Sequence, residues 1–301
     1  MILVTGSTGF VGSNLVSSLK QPFKVVLRPG EQSKHDSYYV SSIDSETNWG
    51  TELIGIETVI HLAGIAHSNN SNHVRSVNVD GTLKLAETAV RDGVKRFVFA
   101  SSIGVNGLST EDIPFSPCSS CQPHNIYARS KFEAELGLLE IAERTGLEVV
   151  IVRPTLVYGP NAPGNFGLLN KLVLNLPFLP FGLSKNKRDF ISVYNLVDLL
   201  ICCATHSDAA GHIFLASESQ TVSIKEFTNQ IARGLSKNVI QIPVPISLMR
   251  LLCKVTGKSA MFEQLFGNLE VDSSNIKDIL DWTPPQTMEQ SMAKLKTWNK
   301  S

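Results

Sequence analysis

Along the first half of the chain, apolar residues gather in short β-branched runs, separated by stretches with helical spacing. Ile2–Val4, Lys24–Leu27, Thr58–Leu62, Arg96–Ala100 and Glu148–Val152 read as strands, and Tyr38–Ile43 as a weaker sixth. Their nearly unbroken apolar character belongs to strands covered on both faces. Between them, Phe10–Lys20 sets Val11, Leu15 and Leu19 on one stripe, and Asn72–Asp92 does the same with Val79, Leu83, Ala86 and Val90. Asn125–Thr145 is a third helix, with Gly146 placed to end it. This alternation predicts an α/β fold with a doubly wound parallel sheet.

After Val152 the alternation breaks down. Residues 159–182 are rich in Pro, Gly and Asn and predict a loop with one helix around Leu168–Asn175. Phe190–Val193, Leu196–Thr205 and His212–Ala216 are expected to return to the main sheet as strand, helix and strand. Ser223–Leu235, Ile246–Val255 and Met288–Trp298 read as helices of a smaller, interwoven C-terminal lobe. The expected division is 1–158, rejoined by 189–216, against 159–188 and 217–301. Ile246–Val255 carries Met249, Leu251 and Leu252 beside Arg250 and Lys254, and is read as packing into its lobe rather than facing a membrane.

Composition narrows the function. The chain has 301 residues, 43% hydrophobic and 18% charged, and its 27 Lys plus Arg balance 27 Asp plus Glu. A neutral chain is poorly suited to gripping a phosphate backbone, so nucleic acid is not an expected partner. Five cysteines make no disulfide framework, and the lone CxxC of Cys118 and Cys121 has no second pair to complete a zinc set, so no metal is expected. The first apolar run, Met1–Val4, stops at Thr5-Gly6, and no run approaches the roughly 20 apolar residues of a membrane span. These features lead us to expect a cytoplasmic protein with reduced thiols and no membrane insertion.

Thr5-Gly6-Ser7-Thr8-Gly9-Phe10-Val11-Gly12 follows the first strand and opens the first helix. Glycines there allow a tight turn and close approach to a pyrophosphate, whose charge is favoured at a helix N-terminus. At the end of the second strand, where an acid favours NAD, stands Leu27-Arg28-Pro29. Arg28 suits a 2′-phosphate or the adenine face, so the cofactor is NAD or NADP with a tilt to NADP. Asp44 is a candidate adenine-amine acceptor or a turn residue. Tyr127 and Lys131 are four apart, hence neighbours on a helix face, and an ammonium beside a phenol favours the phenolate. Ser101-Ser102 closes the strand Arg96–Ala100, at the sheet end where α/β proteins bind ligands. A Ser, Tyr and Lys set downstream of a dinucleotide cradle points to hydride transfer at an alcohol. His61 reads as a core residue, His67 as a possible substrate contact, and Tyr158 and Trp282 as packing.

With these residues in place, the chain resembles the extended short-chain dehydrogenase/reductases, and among them the nucleotide-sugar epimerases and reductases. The marks are TGSTGFVG, Val59–Gly64, Asn78–Thr82, Ser101–Gly107, the Tyr127/Lys131 pair, Arg153–Pro160, Arg188–Ile191, Asn195–Asp198 and Asp281–Pro284. The resemblance implies a Rossmann-like dinucleotide-binding domain and a substrate lobe, with Ser102, Tyr127 and Lys131 catalytic. It implies Gly6, Gly9, Phe10, Val11 and Gly12 at the pyrophosphate, Ala63, Gly64, Asn78 and Lys131 near the cofactor ribose, and Pro154 near the nicotinamide. Asn165 and Arg188 match positions holding a substrate diphosphate. Ile103 and Gly104 stand where the family's dehydratases carry Asp-Glu, so dehydration is rejected. Leu156, Asn106 and Arg28 depart from the Asn, Tyr and acid of typical 4-epimerases.

The expected activity is therefore hydride chemistry at C4 of a UDP-hexose or UDP-N-acetylhexosamine in surface-polysaccharide synthesis, with 4-epimerase preferred. The alternative is NAD(P)H-dependent reduction of a UDP-4-keto-6-deoxy-N-acetylhexosamine to UDP-N-acetylquinovosamine. A more distant alternative is a non-catalytic dinucleotide-sensing regulator. By analogy with the family, a homodimer through Asn72–Asp92 and Asn125–Thr145 is expected.

Overall fold

A computed structural model describes residues 1–66, 68–257 and 259–296. Its strands are β1 (Ile2–Thr5), β2 (Phe23–Leu27), β3 (Ser37–Tyr39), β4 (Thr58–His61), β5 (Arg96–Ala100), β6 (Glu148–Pro154), β7 (Leu156–Tyr158), β8 (Phe178–Leu179), β9 (Phe190–Ser192), β10 (Ile213–Ala216) and β11 (Ile240–Gln241). Its helices are α1 (Phe10–Ser18), α2 (Ser71–Arg75), α3 (Thr82–Arg91), α4 (Ile126–Thr145), α5 (Gly164–Asn175), α6 (Val193–Thr205), α7 (Ile224–Gly234), α8 (Ile246–Val255), α9 (Ser259–Phe266), α10 (Ser274–Leu280) and α11 (Met288–Ala293). A π-helical turn, Ser76–Gly81, joins α2 to α3.

Seven strands form one sheet in the order β10-β6-β5-β4-β1-β2-β3, every neighbour parallel. The chain winds outward from β1 to β3, then crosses back to β4, so the switch point lies between β1 and β4. This is the Rossmann-like doubly wound sheet expected from the alternation. Its two faces explain the unbroken apolar runs. Ile2, Val4 and Val98 pack with α1 and α6, while Leu3, Phe97 and Phe99 pack with α3 and α4. Successive strand residues feed opposite cores, so neither parity can be polar.

The C-terminal lobe has its own core, where Phe190 and Phe227 stack at 3.7 Å and Tyr158 and Phe166 complete an aromatic cluster. Two expectations fail here. Phe190–Val193 does not return to the main sheet: β9 pairs with β7, Leu156 opposite Phe190, because the aromatic cluster holds it over the lobe. Nor does the lobe enclose α8: it rests on α9, where the Arg250 guanidinium lies 5.1 Å over the Phe262 ring, but only Met249 is buried and Leu248, Leu251, Leu252 and Val255 are exposed. The helices α9 and α10 were not anticipated. Ile276 and Leu280 of α10 and the following Trp282 join the α1–α6 core, with Trp282 Nε1 donating to Asp198 Oδ2 at 2.7 Å. The end of the Met288–Trp298 expectation lies outside the described residues.

Beneath the C-terminal ends of β5 and β6 lies a buried ion pair. Arg153 of β6 donates through Nε and Nη2 to Glu135 of α4 at 3.0 and 2.5 Å, and through Nη1 to Asn106 Oδ1 at 3.0 Å. Ser101 Oγ donates to the same carboxylate. The pair is fully withdrawn from water, so removing one partner strands a charge in low dielectric. We expect Arg153→Met to cost about 3–5 kcal/mol, read from urea unfolding, and the double variant Arg153→Met/Glu135→Leu to recover much of that loss.

Candidate active site

The cradle forms at the switch point. Gly6 has φ +71°, and a side chain there would meet the Ala63 nitrogen at 2.7 Å, so β1 and the segment after β4 touch through backbone alone. A Cβ on Gly12 would lie 2.0 Å from the Gly6 carbonyl oxygen, which fixes α1 against the turn. Gly9 caps α1 without a side-chain acceptor, leaving the amides at Phe10 and Val11 pointing out of the helix end. Ser7 Oγ is buried with no partner. Free amides at a positive helix end, a stranded hydroxyl and a cradle that a Cβ would fill all suit a dinucleotide pyrophosphate.

Other cofactor candidates divide. Ala63 donates its amide to Thr5 Oγ1 at 3.3 Å. Gly64, Asn78 and Lys131 converge: a Cβ on Gly64 would lie 3.2 Å from Asn78 Oδ1 and 3.4 Å from Lys131 Nζ. Asn78 sits in the π turn and bonds Ile65 through both amide atoms, at 2.7 and 3.0 Å, and Ser130 Oγ at 2.9 Å. Asp44, half-buried, closes its own turn by accepting from Ser42, the Glu46 amide and Thr47, which hold its carboxyl below the usual range.

Arg28 is exposed and pairs with Glu31 at 2.8 Å. Glu31 was missed. The Pro29-Gly30 turn, with Gly30 at φ +90°, folds it back so that it also accepts from the Arg28 amide at 2.7 Å and from Thr8 Oγ1 of the glycine loop at 3.0 Å. Burial pushes its carboxyl up, but these donors outweigh that and hold it below the ordinary value. An acid therefore stands at the end of β2, three residues later than a reading by position expects.

Ser102, Tyr127 and Lys131 lie beyond the end of β5. Ser102 caps a short 3-10 turn, Ile103–Val105, by accepting from the Gly104 amide at 3.1 Å, so its own hydroxyl hydrogen is available to a ligand. Asn125 caps α4 by accepting from the Ala128 amide at 2.7 Å, which sets Tyr127 in the first turn. Lys131, one turn on, donates from Nζ to the Ala100 carbonyl at 2.8 Å and lies 4.5 Å above the Phe99 ring and 5.9 Å from the Tyr127 ring. Burial lowers its pKa to about 8, with Glu135 pulling the other way. Desolvation pushes the Tyr127 hydroxyl up to about 12.

Ser102, Tyr127 and Pro154 line one cavity of about 320 Å³ together with Asn165 and Arg188. Arg188 is buried and donates to the Gly267 carbonyl at 2.7 Å; its pKa falls to about 10 through burial, Asp189 opposing. The Asp189 carboxylate is committed elsewhere, to Thr221 at 2.6 Å and the Val271 amide at 2.7 Å. His124 also lines the cavity and was missed, as were Glu135 and Arg153 beneath it. Glu135 was legible, because it continues the Tyr127–Lys131 face by one turn. His67 lies outside the described residues. All five cysteines are free, and Cys121 Sγ accepts from Arg153 at 3.6 Å.

A parallel doubly wound sheet with a phosphate cradle at its switch point and a Ser, Tyr and Lys cavity beside it defines an NAD(P)-dependent enzyme. The model of the NAD dependent epimerase/dehydratase family matches residues 2–216, and the chain belongs to that family. A UDP-glucose 4-epimerase of Vibrio cholerae is 41% identical over 302 residues, covering 96% of this chain and 92% of its own. The UDP-glucose 4-epimerase of Thermotoga maritima, solved with UDP-glucose, shares the fold with a TM-score of 0.78 at 21% identity, covering 99% and 98% of the two chains. The UDP-N-acetylglucosamine 4-epimerase of Bacillus cereus does so at 0.81 and 18%, over 100% and 99%.

His61 is an independent probe of this centre. It is buried between Thr5 Oγ1 at 2.7 Å and Thr82 Oγ1 at 2.9 Å, and its pKa falls to about 3 through burial and the Lys131 charge. Between pH 6.5 and about 3 the unfolded chain binds a proton that the folded chain refuses, so stability falls as pH drops through that window. Denaturant melts across it should show the slope in the wild type and a shallower one in His61→Gln.

Proposed function

We propose that this enzyme inverts C4 of a UDP-hexose or UDP-N-acetylhexosamine through a 4-keto intermediate. The observation that carries this reading is the single cavity in which Tyr127 and Ser102 meet Arg188 and Asn165. A buried guanidinium whose neighbouring carboxylate is spoken for suits a diphosphate, and Asn165 at the start of α5 adds an amide. A nicotinamide dinucleotide held along Gly6–Gly12 supplies hydride exchange when bound. Tyr127 takes the C4 hydroxyl proton as that carbon loses hydride, while Ser102 donates to the same oxygen. Lys131 lies 5.9 Å from the Tyr127 ring, and an oxidised nicotinamide would add a positive charge that favours the phenolate over the desolvated phenol near 12. Pro154, Ala63, Gly64 and Asn78 bound the nicotinamide and ribose.

Inversion requires the ketone to present its other face. Space for that turn is supported by a second cleft of about 880 Å³, which shares Asn125, Tyr127, Leu156, Asn165 and Gln264 with the first or borders it. The 41% identical relative is itself a 4-epimerase. The homodimer reading through α3 and α4 is supported by Leu136 and Leu139, exposed on α4.

The end of β2 favours NAD. Arg28 is already neutralised by Glu31, and a carboxylate at the end of β2 accepts a ribose 2′-hydroxyl but repels a 2′-phosphate. Glu31→Gln should weaken NAD and strengthen NADP binding, moving their affinity ratio by roughly tenfold, measured by fluorescence titration.

Purified protein given UDP-glucose, UDP-N-acetylglucosamine and the 4-keto-6-deoxy sugar separates the reactions. Conversion without added cofactor supports epimerisation, whereas consumption of one NAD(P)H per product makes the enzyme a ketoreductase. Tyr127→Phe should lose roughly 10²–10⁴-fold in turnover while keeping dinucleotide affinity; unchanged turnover would remove the tyrosine from the chemistry and leave a sensing role.

A further inference from the structure

Two long stretches of this neutral chain contain no acid at all. Residues 149–188 and 227–262 hold neither Asp nor Glu, although the chain has 27 of them elsewhere. The first stretch contributes α5 and β8, the second β11 and α8. All four elements leave apolar side chains outside.

Leu168 and Leu172 of α5 and its C-cap Leu176 recur every fourth residue and are exposed, while Phe166, Leu169 and Val173 face the core. The stripe runs on into β8, where exposed Phe178 pairs with exposed Ile240 of β11. Five residues after β11 ends α8 begins, and it is amphipathic in the reverse sense to a packed helix. Met249 faces inward, Leu251, Leu252 and Val255 are 56%, 56% and 78% exposed, and Leu248 lies beside them. Exposed Arg250 and Lys254 flank that apolar stripe, and exposed Lys171 sits beside Leu168 and Leu172 on α5.

An outward apolar face edged by cations and free of acids is the pattern of a helix lying in the headgroup region of a bilayer. Protein interfaces instead concentrate aromatic anchors, and this face offers Leu, Ile and Val with a single Phe. No helix among the described residues is long and apolar enough to cross a membrane, so the contact is peripheral. We infer that the protein docks on an anionic lipid bilayer through the face built by α5, β8, β11 and α8. Aliphatic side chains enter the acyl boundary while Lys171, Arg250 and Lys254 meet lipid phosphates. The cleft between α5 and α9, lined by Leu168, Leu172, Leu176 and Leu265, opens on the same face and shares Asn165, Leu169, Gln264 and Leu265 with the active-site cavity, so docking sets that cavity close to the membrane surface.

Co-sedimentation of the full chain with vesicles tests this. Wild type should pellet with vesicles of roughly one-third phosphatidylglycerol, and at least tenfold less with pure phosphatidylcholine. Leu251→Glu/Leu252→Glu should lose binding at least tenfold while its thermal melt and dinucleotide affinity stay at wild-type values. Arg250→Gln/Lys254→Gln should weaken binding to the anionic vesicles alone. Wild type left in the supernatant overturns the proposal, as does a leucine double variant that pellets equally well. So does sedimentation velocity without lipid, if it shows a larger wild-type species that Leu251→Glu/Leu252→Glu dissociates and no vesicle binding, because the face then covers a second copy.

Discussion

The site depends on how one helix is held across the ends of two strands. α4 carries Tyr127, Lys131 and Glu135 at successive turns of one face. The lysine ammonium is tied to the last carbonyl of β5, and the glutamate to Arg153 of β6 and Ser101 after β5. Neither charge is free to move toward solvent, because both are buried and their partners belong to the sheet. The helix therefore cannot slide or rotate without stranding a charge, and its first turn, where the phenol sits, inherits that rigidity. A buried pair contributes little net stability, and its cost on removal falls on whichever partner is left unpaired.

The same placement links electrostatics to chemistry. Burial lowers Lys131 to about 8 and raises Tyr127 to about 12, so at neutral pH the phenol stays protonated beside an ammonium, and a further positive charge would favour the phenolate. His61, one strand away, is kept neutral by burial and by the lysine's field, and serves to brace Thr5 and Thr82. At the other end of the cavity burial outweighs the Asp189 charge at Arg188, and the Asp189 carboxylate makes its hydrogen bonds to Thr221 and Val271 rather than to the guanidinium. The lobe thus presents a buried cation to the same space that Ser102 and Tyr127 line.

The C-terminal lobe is bound to the sheet by packing rather than by a linker. Trp282 and α10 return to the α1–α6 core, while β9 leaves the sheet to pair with β7 under the Phe190–Phe227 stack. This weave encloses the cavity between lobe and sheet. It also leaves α5 and α8 on the outside, with leucines of both exposed.

Strand-by-strand apolar runs determined the parallel sheet, because strands covered on both faces admit no polar parity. The glycine spacing after β1 determined the cradle, because only residues without Cβ fit where Gly6 meets Ala63 and Gly12 meets Gly6. The four-residue spacing of Tyr127 and Lys131 determined their shared face, since helical neighbours are fixed by local geometry. What the chain alone left open were contacts between distant segments. Glu31 reached the end of β2 through a turn, Arg153 found Glu135 across the sheet, β9 chose β7, and α8 turned its leucines outward. Amphipathic spacing tells which side chains share a face, but only packing decides whether that face meets a core or the surroundings.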